Sequence, residues 1–236
     1  MPKAIIVGAS SGIGHALARE LDQHGYQLAL TARRLDKLNE LAGQLELPAL
    51  VSQMDVTDSD AAIVEMERLI NEMGPVDLVI LNSGIGHIDY DLDWNKELAT
   101  LNTNIVGFTA LAGVAYRHFK KNDHGHLVGV SSILSLRGGP GAAYNASKAF
   151  LASYLEGIRF LVAKQKLNIK VTDIKPGFVD TDIVKGRTFW MVSPEVAASS
   201  IYDAIRKAKK VAYITPRWRL IGWLSKILPD FIYHRI

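Results

Sequence analysis

Tyr144 and Lys148 stand in the run Tyr144-Asn145-Ala146-Ser147-Lys148, a phenol and an ammonium four residues apart. On a helix that spacing puts both groups on one face. A free phenol titrates near pH ~10, too high for efficient proton transfer at neutrality. A neighbouring cation favours the phenolate and lowers that value. A hydroxyl from Ser131 or Ser132, a short way upstream, could orient a carbonyl that is being reduced. The pair alone is a weak signal, because the Tyr and Lys content of the chain supplies about half an occurrence by chance. Tyr116 and Lys120 form a second copy, with no serine-ended strand before it and no Pro-Gly loop after the next strand. That copy reads as a helix surface pair. Setting, not spacing, distinguishes the two.

A second cluster is suited to a dinucleotide. The run Gly8-Ala9-Ser10-Ser11-Gly12-Ile13-Gly14 follows an apolar stretch and opens an amphipathic one. Glycines there permit a tight turn and let backbone amides approach a pyrophosphate, which then faces the positive end of a helix. The spacing is Gly-x3-Gly-x-Gly rather than the common G-x-G-x-x-G. At the end of the second apolar stretch stand Arg33 and Arg34, where a NAD-binding fold commonly carries an acid. A guanidinium matches a 2′-phosphate bidentately, so NADP(H) is expected over NAD(H). Asp55, followed by Val56, either bonds an adenine amino group or caps the next helix. Asn82-Ser83-Gly84 follows the fourth apolar stretch, at the same predicted edge.

These groups need a scaffold that brings distant loops to one edge. The runs Lys3–Val7, Gln27–Thr31, Ala49–Met54, Val76–Leu81, His126–Val130, Lys170–Ile174 and Val211–Ile214 read as strands. Most are apolar throughout, as for strands covered on both faces. Helical patterns lie near Ile13–Gln23, Asp36–Leu45, Ser59–Met73, Asn95–Lys121, Ala143–Gln165 and Pro194–Lys207. The alternation predicts one doubly wound, Rossmann-type α/β domain, a parallel sheet of about seven strands with helices on both faces. Residues 1–215 would form it, and 216–236 would be a C-terminal amphipathic, basic extension.

Composition narrows the function classes. The chain has 236 residues, 48% hydrophobic and 22% charged, which excludes wholesale disorder. With no cysteine, disulfides, thiolate nucleophiles and Cys-based zinc sites are excluded, and no metal site is expected. No apolar run approaches the ~20 residues of a spanning helix, and the first residues lack a signal-peptide pattern. A cytoplasmic location is expected. The net charge of +3 divides into −4 over the first 205 residues and +7 from Arg206 to Ile236. A basic tail on an acidic body does not suggest nucleic acid.

Taken in order, these motifs resemble the short-chain dehydrogenase/reductase family over roughly residues 3–200. Gly8, Gly12 and Gly14 are similar to its cofactor glycines, with Asn82-Ser83-Gly84 in place of Asn-Ala-Gly. The resemblance implies that Asn104 holds a proton-relay water, that Ser132 bonds the substrate oxygen, and that Tyr144 is the general acid/base. Lys148 would tune Tyr144 and bind the nicotinamide ribose. Pro176, Gly177, Val179 and Thr181 would contact the carboxamide, and Arg33 falls where NADP-preferring members carry a basic residue. Ser132 to Tyr144 is one residue shorter than the common spacing, which places a deletion in the Gly138–Gly141 loop. Ser131 would restore the count but points to the other side of the strand.

The implied activity is hydride transfer between a nicotinamide and a small-molecule carbonyl or alcohol, with NADPH-driven reduction as the expected direction. A homodimer or homotetramer through the long helices is the family's default. Residues 182–193 occupy the place of the substrate-covering segment, where Phe189, Trp190 and Met191 could line an apolar pocket. In the tail, Trp218, Leu220, Ile221, Trp223, Leu224, Ile227 and Leu228 form a broad apolar helix face opposite Arg219, Gly222, Ser225 and Lys226. That face either packs on protein or makes peripheral contact with the inner face of a membrane. The second option would make the protein a membrane-surface reductase of acyl-chain ketones. A non-catalytic NADP-sensing protein is the third reading, against which the intact proton-transfer set argues.

Overall fold

The computed structural model describes residues 1–181 and 189–233. Seven strands form one sheet: β1 (Lys3–Val7), β2 (Gln27–Ala32), β3 (Leu50–Gln53), β4 (Leu78–Leu81), β5 (Gly125–Val130), β6 (Ile169–Pro176) and β7 (Val211–Ile214). All pairings are parallel, in the order β3-β2-β1-β4-β5-β6-β7. The helices are α1 (Gly12–Gln23), α2 (Leu35–Ala42), α3 (Ser59–Met73), α4 (Trp94–Leu101), α5 (Phe108–Asn122), α6 (Ala142–Lys164), α7 (Pro194–Arg206), α8 (Arg217–Ile227) and α9 (Asp230–Tyr233). The doubly wound architecture expected from the strand–helix alternation is the one observed.

Alternation along each strand divides the core into two layers. Ile5, Val79, Leu127 and Val171 face α3, α5 and α6, where Met66, Leu111, Phe119 and Leu155 meet them. Ile6, Ile80, Val128 and Ile174 face the other way, onto Leu17, Leu38 and Ile201 of α1, α2 and α7. Both faces are dry, which explains why the strands carry almost no polar alternation. The strand order reverses between β1 and β4, and such a switch point opens a crevice beyond the strands' carboxyl ends.

The long helix expected over Asn95–Lys121 is observed with an interruption. Between α4 and α5 the backbone makes a π-helical turn, Asn102–Gly107. Two contacts account for it. Asn104 turns inward to bond the backbone of Ile85, and Gly107 lies so close to the Val56 carbonyl that a side chain would overlap it. By length and composition alone the run Trp94–Asn122 could span a membrane, yet half of its most apolar window is buried, as in a core helix. Tyr116 and Lys120 of α5 both bond Gln165, so the second Tyr-x3-Lys pair is a structural tie between helices.

The glycine turn after β1 depends on close approach. Gly8 and Gly12 have φ of +90° and +56°, in the left-handed region. A side chain on Gly14 would overlap the Gly8 carbonyl oxygen and stand 2.7 Å from Asn82 Nδ2. Neither neighbour can yield, because Asn82 Nδ2 itself donates to that carbonyl at 2.9 Å. Gly14→Ala should therefore lower the unfolding free energy by about 2–4 kcal/mol, in the range of a core overpacking or backbone clash. Gly138→Ala, with no atom within 4 Å of the added carbon, should be near neutral in the same urea titration.

Candidate active site

The carboxyl ends of the strands border a cleft of about 830 Å³. Of the sequence-predicted cofactor residues, Gly8, Ser10, Ser11, Gly12, Ile13, Arg33, Arg34, Asp55, Val56, Asn82, Ser83, Gly84 and Thr181 line it. Gly14 lies beneath it as packing, and Val179 is buried and pairs with Val192. Ser11 stands at the N-terminal cap of α1 but bonds no helix amide with its side chain. Its hydroxyl accepts instead from Arg34 Nη2 at 2.7 Å, and Ser10 Oγ accepts from the same nitrogen at 3.1 Å. The free amides of α1 and the Arg34 guanidinium thus face one space, a disposition suited to phosphate groups. Arg33 lines the cleft beside it.

Asp55 does not cap α3. The cap of α3 is Asp58, which accepts from Ala61 N. Asp55 accepts from the amide and hydroxyl of Thr57 at 3.0 and 2.8 Å and remains at the cleft wall.

The proton-transfer candidates meet behind two glycines that line this cleft. An added carbon on Gly84 would stand 3.1 Å from Lys148 Nζ and 3.4 Å from Asn104 Oδ1. On Gly86 it would press on the Tyr144 ring at 2.5 Å. Side chains from α6 and the π-helical turn therefore reach the loop after β4 only because those positions lack a Cβ. Lys148 Nζ lies 5.6 Å from the centre of the Tyr144 ring and donates to Val130 O at 2.9 Å. Asn104 donates to Ile85 O and Ser147 Oγ, which fixes its amide.

Two serines end β5, and their partners differ. Ser131 Oγ donates to the Asp173 carboxylate and lies 3.1 Å from Ile174 O, and Lys175 Nζ pairs with Asp173 at 2.9 Å. Ser131 is thus absorbed by a buried ion pair. Ser132 Oγ accepts from Leu134 N at 3.1 Å and interacts with the Tyr144 phenol. Burial pushes the Tyr144 phenol above its ordinary value, while hydrogen bonding with Ser132 works against the rise. Burial also pulls Lys148 down to about 8, opposed by the Asp173 carboxylate.

Phe189 and Trp190, expected in the substrate-covering segment, stand partly exposed, and residues 182–188 of that segment lie outside the described residues. Both rings meet Trp218 of α8, which also stands edge-on to Phe178 at 5.2 Å. The sequence placed Trp218 on the apolar face of the tail without revealing these partners. Trp218 is 4% exposed, and its ring covers Gly177 so closely that a side chain there would overlap it. Its indole N–H is buried without a hydrogen-bond partner. The one available signal was a glycine directly before Phe178, where a large ring could lie flat.

The family model described as short chain dehydrogenase matches residues 2–191. An uncharacterized oxidoreductase of Myxococcus xanthus (strain DK1622) is 35% identical over 243 residues, covering 98% of this chain and 94% of that protein. A short chain dehydrogenase/reductase from Burkholderia phymatum, solved in complex with NAD, superposes with a TM-score of 0.86 at 18% identity, covering 95% of this chain and 92% of that one. An alcohol dehydrogenase from Thermococcus sibiricus, complexed with 5-hydroxy-NADP, gives 0.79 at 24% identity, covering 90% and 94%.

A buried ammonium pulled down to about 8 from an ordinary value of 10.5 costs stability wherever it must be charged in the folded chain. The unfolded chain then binds more protons between those pH values, so this contribution to stability rises with pH across that window. Lys148→Met should be more stable than the parent below about pH 8, by up to about 3 kcal/mol. The advantage should shrink from pH 8 to 10.5, read by urea unfolding at several pH values. A constant difference would show that Lys148 is not the group responsible.

Proposed function

This chain belongs to the short-chain dehydrogenase/reductase family, and from that premise we propose that it interconverts a small-molecule carbonyl and an alcohol with NADP(H), using Tyr144 as general acid/base. The observation that carries the reading is the convergence of Ser132, Tyr144 and Lys148 behind Gly84 and Gly86, which line the cleft. The residues present fit a dinucleotide: the glycine cradle leaves no room for side chains, and free helix amides face the space beside two arginines. When bound there, the nicotinamide supplies or accepts the hydride.

The chain's own groups do the rest. Ser132 bonds the substrate oxygen and fixes its direction. Tyr144 gives its proton to that oxygen as charge develops on it in reduction, and takes one in oxidation. Lys148, held in place by Val130 O, keeps a positive charge beside the phenol and stabilises the phenolate. Asn104, fixed across Gly84 from Lys148, marks the route for proton replacement.

The preference for NADP(H) rests on Arg34 and Arg33. Arg34 is held by Ser10 and Ser11 at the mouth of the glycine turn, and no acid stands at the end of β2 to receive a ribose hydroxyl pair. The two structural neighbours described above carry NAD and a derivative of NADP, so the preference is argued from these side chains.

The test follows NADPH oxidation against a panel running from short diketones to long-chain 3-ketoesters. Tyr144→Phe should lose at least about 100-fold in kcat, the scale of general acid catalysis, while still binding NADPH by fluorescence titration. Unchanged turnover in that variant would remove Tyr144 from the role. Tight NADPH binding with no carbonyl reduced would favour a cofactor sensor. Arg34→Ala should raise KM for NADPH by about 10-fold or more, the worth of a charge-assisted contact, and leave KM for NADH nearly unchanged. Equal weakening of both cofactors would mean that Arg34 supports the loop rather than the 2′-phosphate.

A further inference from the structure

The broad apolar face expected of the C-terminal segment divides in two once folded. Trp218 and Gly222 turn inward, and Gly222, expected on the polar side, is buried against Ile133 and Leu136. The reason is steric: the missing side chain lets α8 settle on the turn that follows Ser132. Leu220, Trp223 and Ile227 occupy the opposite side of α8, spaced as one helical stripe, and with Phe231 of α9 they are 58% to 69% exposed. This stripe is not a face that has yet to pack on its own domain. The helix is already docked, and Arg137 holds its end through Ser225 O and Leu228 O, each at 2.6 Å.

The charge around the stripe has one sign. On a helical projection Arg219 and Lys226 border it on one side and Arg217 on the other. Arg219 and Lys226 make no ion pair among the described residues, and the single acid of α8 and α9, Asp230, is paired with Arg137. Two occupants could cover such a face. A two-fold contact with a second copy would set this cationic rim against itself, and self-complementarity is what such an interface requires. An anionic lipid surface offers both things the face lacks: apolar depth for Trp223, Leu220 and Ile227, and negative charge for the flanking cations.

We propose that the outward face of α8 and α9 docks this protein on an anionic lipid surface, and that its substrate is a carbonyl or alcohol carrying an apolar chain. The second half rests on the reductase reading above. The inward side of α8 is the Trp218 ring, joined to Phe178, Phe189 and Trp190. One short helix therefore has the aromatic wall beside Gly177 on one side and the lipid-facing stripe on the other. A docked molecule holds that wall within a helix diameter of the acyl region, so an apolar chain can pass between them without crossing water. Arg217 ties the two sides, donating to Trp190 O at 3.1 Å.

The experiment is sedimentation of the full chain with vesicles of phosphatidylglycerol and phosphatidylcholine, against phosphatidylcholine alone. The full chain should partition onto the anionic vesicles. Leu220→Ser/Trp223→Ser and Arg219→Glu/Lys226→Glu should each weaken partition by about 10-fold or more, while reduction of a short water-soluble diketone stays at the parent rate. Reduction of a long-chain ketoester held in those vesicles should fall in both variants. No partition onto anionic vesicles, or unchanged partition of both variants, would overturn the docking. So would a dimer in the parent that Leu220→Ser/Trp223→Ser converts to monomer with no effect on lipid. Vesicle binding without reduction of any carbonyl would sink the reductase reading and the substrate class, leaving the docking in place.

Discussion

The structure turns on one buried ammonium. Lys148 sits with its charge in the protein interior, where an unpaired ion is costly. Three elements answer that cost. β5 offers the Val130 carbonyl at its last residue, β6 brings the Asp173 carboxylate near, and α6 holds the side chain over both. The glycines at 84 and 86 then allow the loop after β4 to close over Lys148 and Tyr144. Burial pushes the Tyr144 phenol up, and hydrogen bonding with Ser132 works against that rise.

The same region contains a second buried ammonium, Lys175, paired with Asp173 and bonded to Ser135 Oγ at 2.7 Å. Two cations share one carboxylate there. A buried pair of this kind is weak evidence for stability, because desolvation consumes most of the attraction. Its visible consequence is geometric. Asp173 and Lys175 occupy Ser131, and Lys175 holds Ser135 in the turn after β5. The segment between them carries Ser132, whose own hydroxyl is left for the phenol. The choice between adjacent serines is therefore made by β6, some forty residues away in sequence.

That choice illustrates what the sequence could and could not convey. The strands were legible because both their faces are dry, and the glycine turn because of its position between the first strand and a helix. Tyr144 and Lys148 were legible from their setting, after a serine-ended strand and before a Pro-Gly loop, because the i, i+4 spacing alone also picks out Tyr116 and Lys120. Ser132 over Ser131 followed from the resemblance of the strand to the family pattern, with alternation showing only that the two serines point to opposite sides. The π-helical turn at Asn102–Gly107 was not legible, since it arises from Asn104 reaching Ile85 and Gly107 approaching Val56, both distant in the chain. Trp218 was hidden for the same reason. Its neighbours Gly177, Phe178 and Trp190 become neighbours only after β6 and β7 have paired.

The basic tail shows a subtler failure of one-dimensional reasoning. As sequence it is a single cationic segment from Arg206 onward. Folding splits it, because β7 runs between its two halves. Arg206, Lys207, Lys209 and Lys210 gather before the start of β7, whereas Arg217, Arg219 and Lys226 follow its far end, on the side of the sheet where the cleft opens. Charge summed along a chain does not describe a surface until the strand direction is known. The amphipathic reading of α8 needed the same correction, for a different reason: a helix with apolar residues most of the way round can bury one side and still present another. Gly222 decides which side is buried, because only a residue without a side chain lets the helix lie on Ile133 and Leu136. The exposed stripe is then what remains opposite that contact, and its position beside the site follows from the turn after Ser132 being the surface on which α8 rests.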